Sequence, residues 1–194
     1  MNKYMSVLLA VLVSALVGGC ALSPQVIDAN PRITLQQTSG EFAGVVAVTV
    51  YDERISSTLG SRGGVYAATN PITTSGSLPL TMRSAVELAL RELGMQVTDS
   101  EKTAQMQVYL DQLDYQVPEG SYITRVDLMS KIRVHVVSEG RRFEGAYSSE
   151  IGERVASAPS DAKNQELVEQ VLNDVLGRAF GDPQLLGFLT SIAD

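Results

Sequence analysis

The chain has no tryptophan, four phenylalanines, one histidine and one cysteine in 194 residues. A single cysteine excludes an intrachain disulfide and any metal site built from several thiolates, so stability must come from packing. The missing tryptophan, together with Phe180 and Phe188 lying in an apolar C-terminal segment, leaves little material for base-stacking or sugar-stacking platforms. A formal net charge of −7 argues against nucleic acid and against adhesion to anionic lipid headgroups. The longest apolar run, Met5 to Val17, is shorter than the ~20 residues of a membrane-spanning helix. No internal repeat is visible.

What the chain does have is a particular N-terminus. Lys3 supplies a positive charge, Met5 to Val17 an apolar stretch, and Leu16-Val17-Gly18-Gly19-Cys20 a small-residue cleavage site that ends in the only cysteine. This is the pattern of a bacterial lipoprotein signal, with residues 1–19 removed and Cys20 acylated. Each buried CH₂ of the acyl chains contributes ~0.8 kcal/mol, so three chains anchor stably, and the palmitate-type lipid consumes the thiol. Ala21 and Leu22 follow the cysteine, and the absence of Asp there is the usual signal for transfer to the outer membrane. The expected location is therefore its periplasm-facing leaflet. Residues 20–40, with two prolines and no helical period, read as a tether in which Ile33-Thr34-Leu35 forms a β-prone patch. Residues 41–194, within a mature chain of roughly 175 residues, suit one domain.

Val45 to Tyr51 is nearly continuous β-branched sequence, expected as a strand covered on both sides or central in a sheet. Residues 56–77, with Gly60-Ser61-Arg62-Gly63-Gly64 at their centre, read as a long loop holding a short strand at Val65-Tyr66-Ala67. Pro79 opens a helix over 79–93, whose apolar stripe runs from Met82 to Leu93 and stops at Gly94. Residues 104–155 read as a three-stranded antiparallel meander. The apolar phase changes from even at Ala104, Met106, Val108 and Leu110 to odd at Leu113, Tyr115 and Val117, which predicts a bulge near Gln112. A two-residue turn at Glu139-Gly140 sets Val136 opposite Phe143, Val134 opposite Gly145, Ile132 opposite Tyr147 and His135 opposite Glu144. Ser160 caps a second long helix over 161–180, and Asp182-Pro183 starts a short one that docks on the domain. The expected class is α+β: a two-layer domain whose antiparallel sheet, the meander plus strand 45–51, is packed by helices 79–93 and 161–180.

His135 lies mid-strand on the polar face, and no serine or threonine stands in a Gly-x-Ser-x-Gly context, so the reading is a satisfied surface histidine and no enzyme. Asp111, Asp114 and Asp127 fit neither a Ca²⁺ loop nor a two-carboxylate hydrolase spacing, and no metal or cofactor is expected. The glycine run at 60–64 lacks the Lys-Ser/Thr of a phosphate loop. The one surface offered as a partner face is Arg125, Asp127, Lys131, Arg133, His135 and Glu144, extended by Glu150 and weighed against a plain solvated sheet face.

The lipobox, Pro31-Arg32-Ile33-Thr34-Leu35, the Val-rich strand, the helix from Pro79, the meander with Tyr115 to Tyr122, and Asn164 to Leu189 together resemble the YajG-like family of Gram-negative outer-membrane lipoproteins. The resemblance implies an envelope lipoprotein and a shared fold, and brings no catalytic residues. The expected role is therefore that of a non-enzymatic accessory or structural protein of the cell envelope, held by the lipid on Cys20 and docking an envelope protein. The rival is a periplasmic binding module for a peptidoglycan fragment or lipid.

Overall fold

A computed structural model describes residues 23–36, 42–63, 67–100, 104–118 and 124–192. Cys20 and the tip between the first two strands of the meander lie outside these residues. Eight strands form one sheet: β1 (Gln25–Ile27), β2 (Val45–Asp52), β3 (Thr58–Ser61), β4 (Pro71–Thr74), β5 (Gln96–Val97), β6 (Ala104–Gln116), β7 (Thr124–Ser138) and β8 (Arg141–Val155). Among the described residues three α-helices accompany them: α1 (Leu78–Leu93), α2 (Asp161–Phe180) and α3 (Pro183–Thr190).

The sheet is mixed, which corrects the antiparallel expectation. β6, β7 and β8 pair antiparallel in succession, but β2 runs parallel to both β5 and β6, and β1 runs parallel to β4. The reason is the crossover between β2 and β6. Between them the chain passes through β3, β4, α1 and β5, and a connection this long can bring a strand back in its original direction, as a tight hairpin cannot. β2 is thus interior, between β6 and β5. Its second face is covered only at the start, since Ala47 is buried while Thr49 and Tyr51 are exposed.

Two further expectations change. The tether expected over 20–40 contributes β1 to the sheet, and the chain after it lies along α2, where the Asn30 and Arg32 amides donate to Glu169 and Asn173. Ile33 and Leu35 pack against the core without forming a strand. The stretch expected as a loop over 56–77 holds β3, a 3₁₀ turn at Ala67–Thr69 and β4. Short polar strands such as Thr-Leu-Gly-Ser carry little periodic signal, and their partners in space hold them extended.

The helices follow from their sequences. Pro79 sits in the first turn of α1, which buries Met82, Val86, Ala89 and Leu90 and ends where Gly94 adopts φ 107°. Ser160 caps α2 by accepting from the Lys163 amide, and Asp182 caps α3 by accepting from the Gln184 amide. All three bury their apolar stripes in one continuous core with Val46, Met106, Val108, Leu128, Ile132 and Val134.

The β7–β8 register is Val136 with Phe143, Val134 with Gly145, Ile132 with Tyr147 and His135 with Glu144, as the turn at Glu139-Gly140 predicts. Both turn residues have positive φ, 50° and 79°, the geometry for which Asn-Gly is preferred. Glu139→Asn is expected to stabilise the domain by a few tenths to about 1 kcal/mol, measured as the shift in its urea midpoint at unchanged slope.

Candidate functional site

The odd-numbered residues of β7 and their neighbours on β2, β6 and β8 form the sheet face turned away from the core. Its centre is aromatic. Tyr51 and Tyr109, paired across the β2–β6 ladder, stack with ring centroids 5.1 Å apart and planes at 19°. His135 tilts against the other side of Tyr109, also at 5.1 Å. Offset and tilted arrangements of this kind add roughly 0.5–1.5 kcal/mol to area burial and hold the rings in place.

Arg133 lies over this row, its guanidinium carbon 4.9 Å from the Tyr109 centroid. Its Nε donates to Asp111 Oδ2 at 2.8 Å, and Nη2 donates to Asp111 Oδ1 at 2.7 Å and to Glu53 Oε2 at 2.6 Å. The Asp111 hydrogen bonds push the guanidinium pKa above its ordinary value against the opposing effect of desolvation, and the Asp111 charge and the Glu53 hydrogen bond and charge add to the rise. The cation is held between a ring and two carboxylates, and the four groups together carry a net negative charge.

Two local features aim those carboxylates. The β6 register slips between Leu110 and Gln112, so Asp111 is the extra residue of a bulge, next to the position expected. A bulge locally re-aims a side chain, and here Asp111 grips Arg133. Glu53 follows the end of β2, where Arg54 Nη2 pairs with Asp52 Oδ2 at 2.7 Å and also reaches Thr74. Burial would raise the Asp52 carboxyl, but the hydrogen bonds and charge of Arg54 outweigh it and hold the group below its usual value.

The six predicted surface residues divide between two places. Arg133 and His135 meet at Tyr109. Glu144 lies opposite His135 in the ladder, but its carboxylate accepts from Arg142 at 3.2 Å. His135 therefore packs on a ring, and Glu144 is engaged elsewhere. Lys131 is exposed one register step farther along. Arg125 and Asp127 pair with each other at 2.7 Å at the far end of the strand. There they border an open depression of about 380 Å³ with Asp114, Met129 and Glu150. The three aspartates weighed as a cation set are apart in their partners: Asp111 on Arg133, Asp127 on Arg125, and Asp114 accepting from Gln112.

Sequence reasoning missed Tyr51, Tyr109 and Glu53. Tyr109 shares the polar phase of β6 with Gln107, and an aromatic among polar positions is the signal that was available. Tyr51 ends a strand expected to be covered on both sides or central in its sheet, and that expectation hid it.

Fold and surface define an α+β domain with one sheet face open. Residues 31–190 match the family model of an uncharacterized lipoprotein, and the chain belongs to that family. Its likeness to YajG-like lipoproteins agrees with this assignment. Among solved structures it is similar to protein XCC0632 from Xanthomonas campestris, at 10% identity and a TM-score of 0.54, covering 84% of this chain and 99% of that one. It is also similar to a minor lipoprotein from Acinetobacter baumannii, at 8% identity and a TM-score of 0.42, covering 76% and 91%. No curated protein matches the chain. No helix among the described residues is long and apolar enough to cross a membrane.

Proposed function

We propose that this envelope lipoprotein is a non-enzymatic accessory protein, anchored through Cys20 in the periplasmic leaflet of the outer membrane, whose open sheet face docks a protein of the envelope. One observation carries the docking reading: Arg133 held over Tyr109 by Asp111 and Glu53, beside Tyr51 and His135, on a face that the helices leave open. Tyrosine and arginine are enriched in binding hot spots, and tyrosine contributes large contact area with only two free torsions. Here the ring stack and ion pairs hold them before any partner arrives, which lowers the ordering cost of association. The same geometry supports a non-catalytic role, since His135 faces a ring and its neighbouring carboxylate is engaged by Arg142. The ligand-binding alternative finds its best support in the depression beside Arg125 and Asp127. That lining is mostly charged and polar, which suits a peptidoglycan fragment better than a lipid.

A photocrosslinker at Lys131 in living cells is expected to give one discrete protein adduct. No adduct, together with a small molecule co-purifying with the chain, would turn the reading to the ligand-binding class. For the anchor, Cys20→Ser is expected to leave the chain unprocessed or to release it from the membrane fraction. A variant that fractionates and migrates like the parent contradicts lipidation at Cys20.

A further inference from the structure

β8 pairs with β7 along its whole length, from Thr124 opposite Val155 to Ser138 opposite Arg141, without a register break. Among the described residues no strand occupies its other side. A two-residue hairpin makes Ser138 and Arg141 a closely hydrogen-bonded pair. Odd-numbered residues of β8 therefore direct their backbone groups to β7, and even-numbered residues direct theirs outward. Edges this long are normally blunted by proline, lysine, bulges or a covering element. β8 contains neither proline nor lysine and its ladder is regular, so its charged residues, Arg141, Arg142, Glu144, Glu150, Glu153 and Arg154, are left to decide what can pair with it.

We propose that this edge pairs with the same edge of a second copy of the chain, antiparallel about a two-fold axis at Ser149. The side chains select that register. With Ser149 opposite its own copy, Glu144 meets Arg154 twice on the open face, while Phe143 meets Val155 and Tyr147 meets Ile151 on the core face. Shifting the pairing by two residues in one direction sets Arg142 against Arg154, and by four sets Glu144 against Glu150. A two-residue shift in the other direction sets Glu150 against itself. Like charges directly opposed destabilise a strand pair, and opposite charges favour it. Arg154 forms no ion pair among the described residues, and Glu144 holds only the exposed Arg142. Arg154 can reach across the seam, and Glu144 can exchange its surface pair with Arg142 for one with Arg154. A symmetric edge pairing of this kind closes as a dimer and does not propagate.

The two Ser149 residues would form a non-hydrogen-bonded pair with Cα atoms about 4.5 Å apart, within disulfide range. The full chain in detergent micelles carrying Ser149→Cys should yield an oxidised dimer, which the parent, with Cys20 as its only cysteine, should not. Adding Glu144→Arg or Arg154→Glu should each cut the dimer yield at least fivefold, and the two together should restore it. Absence of the dimer from a chain with parental circular dichroism overturns the proposal, as does a yield indifferent to charge reversal. Should Ser149→Cys fail to fold, light scattering on the unsubstituted chain decides. A mass that rises with concentration toward the dimer, and stays monomeric in both single charge variants, supports the pairing. A monomer at every concentration refutes it.

Discussion

Gly60→Ala is expected to destabilise the domain by about 4 kcal/mol or more, among the largest effects of any single methyl added to this chain. Gly60 pairs with Tyr115 where β3 meets β6, and a Cβ built on it would stand 1.8 Å from the Tyr115 carbonyl oxygen. Backbone atoms cannot swing aside as a side-chain end can, so β3 must separate from β6 and take its partner β4 with it. Leu59 and Ile72, buried on those two strands, would lose their packing as well. Thermal unfolding should show a midpoint lowered by on the order of 10 °C. A loss within about 1 kcal/mol would mean that the junction of the two sheet halves is wrong.

Asn164→Ala is the second large loss, expected at about 3 kcal/mol. Asn164, on the first turns of α2, is fully buried. Its Oδ1 accepts from the Tyr115 hydroxyl at 2.6 Å, and its Nδ2 donates to Gln25 Oε1 at 2.7 Å. Gln25 in turn donates to the Asp161 carbonyl at 2.8 Å. Removing the amide strands a donor and an acceptor inside the core, and each unmet group costs roughly 1–3 kcal/mol. Tyr115→Phe should cost less, about 1–2 kcal/mol, because it removes one donor and leaves Asn164 bound to Gln25. The two substitutions together should cost less than their sum.

The same tyrosine carries a pH dependence. Burial pushes its hydroxyl up from 10.0 to about 12, against a small opposing effect of Arg62. A folded-state value above the unfolded one stabilises fully below the unfolded value, and that contribution is lost as pH rises through the folded value. Between about pH 10 and 12 the parent should therefore lose stability, and Tyr115→Phe should lose less over the same window.

These positions show what can be read from sequence and what cannot. The helices were legible because apolar spacing, capping residues and glycine stops are local. The hairpin register was legible because one turn fixes both faces at once. The bulge showed itself as a phase change between Leu110 and Leu113. The parallel pairing of β2 with β6 was not legible, since periodicity reports which face a residue takes and not which strand lies beside it. The Gln25–Asn164–Tyr115 network joins residues separated by 139 and 49 positions. Nothing local marks such polar residues as buried. Gly60 read as part of a loop for the same reason: a glycine demanded by a distant carbonyl looks like any glycine in a polar loop. At the candidate site, Arg133 and His135 were legible from strand alternation. Tyr109 and Glu53 join them only through neighbouring strands.

The docking role of the open face is tested most directly by comparing the Lys131 crosslink in the parent with that in a Tyr109→Ser, Arg133→Glu chain. Both side chains sit on the solvent side of the sheet, away from the core, so the urea midpoint should fall with the loss of the ring stack and ion pairs while the domain still folds. The adduct should disappear while the chain stays folded and at its membrane. An adduct of unchanged size and yield in the folded variant would contradict the docking face.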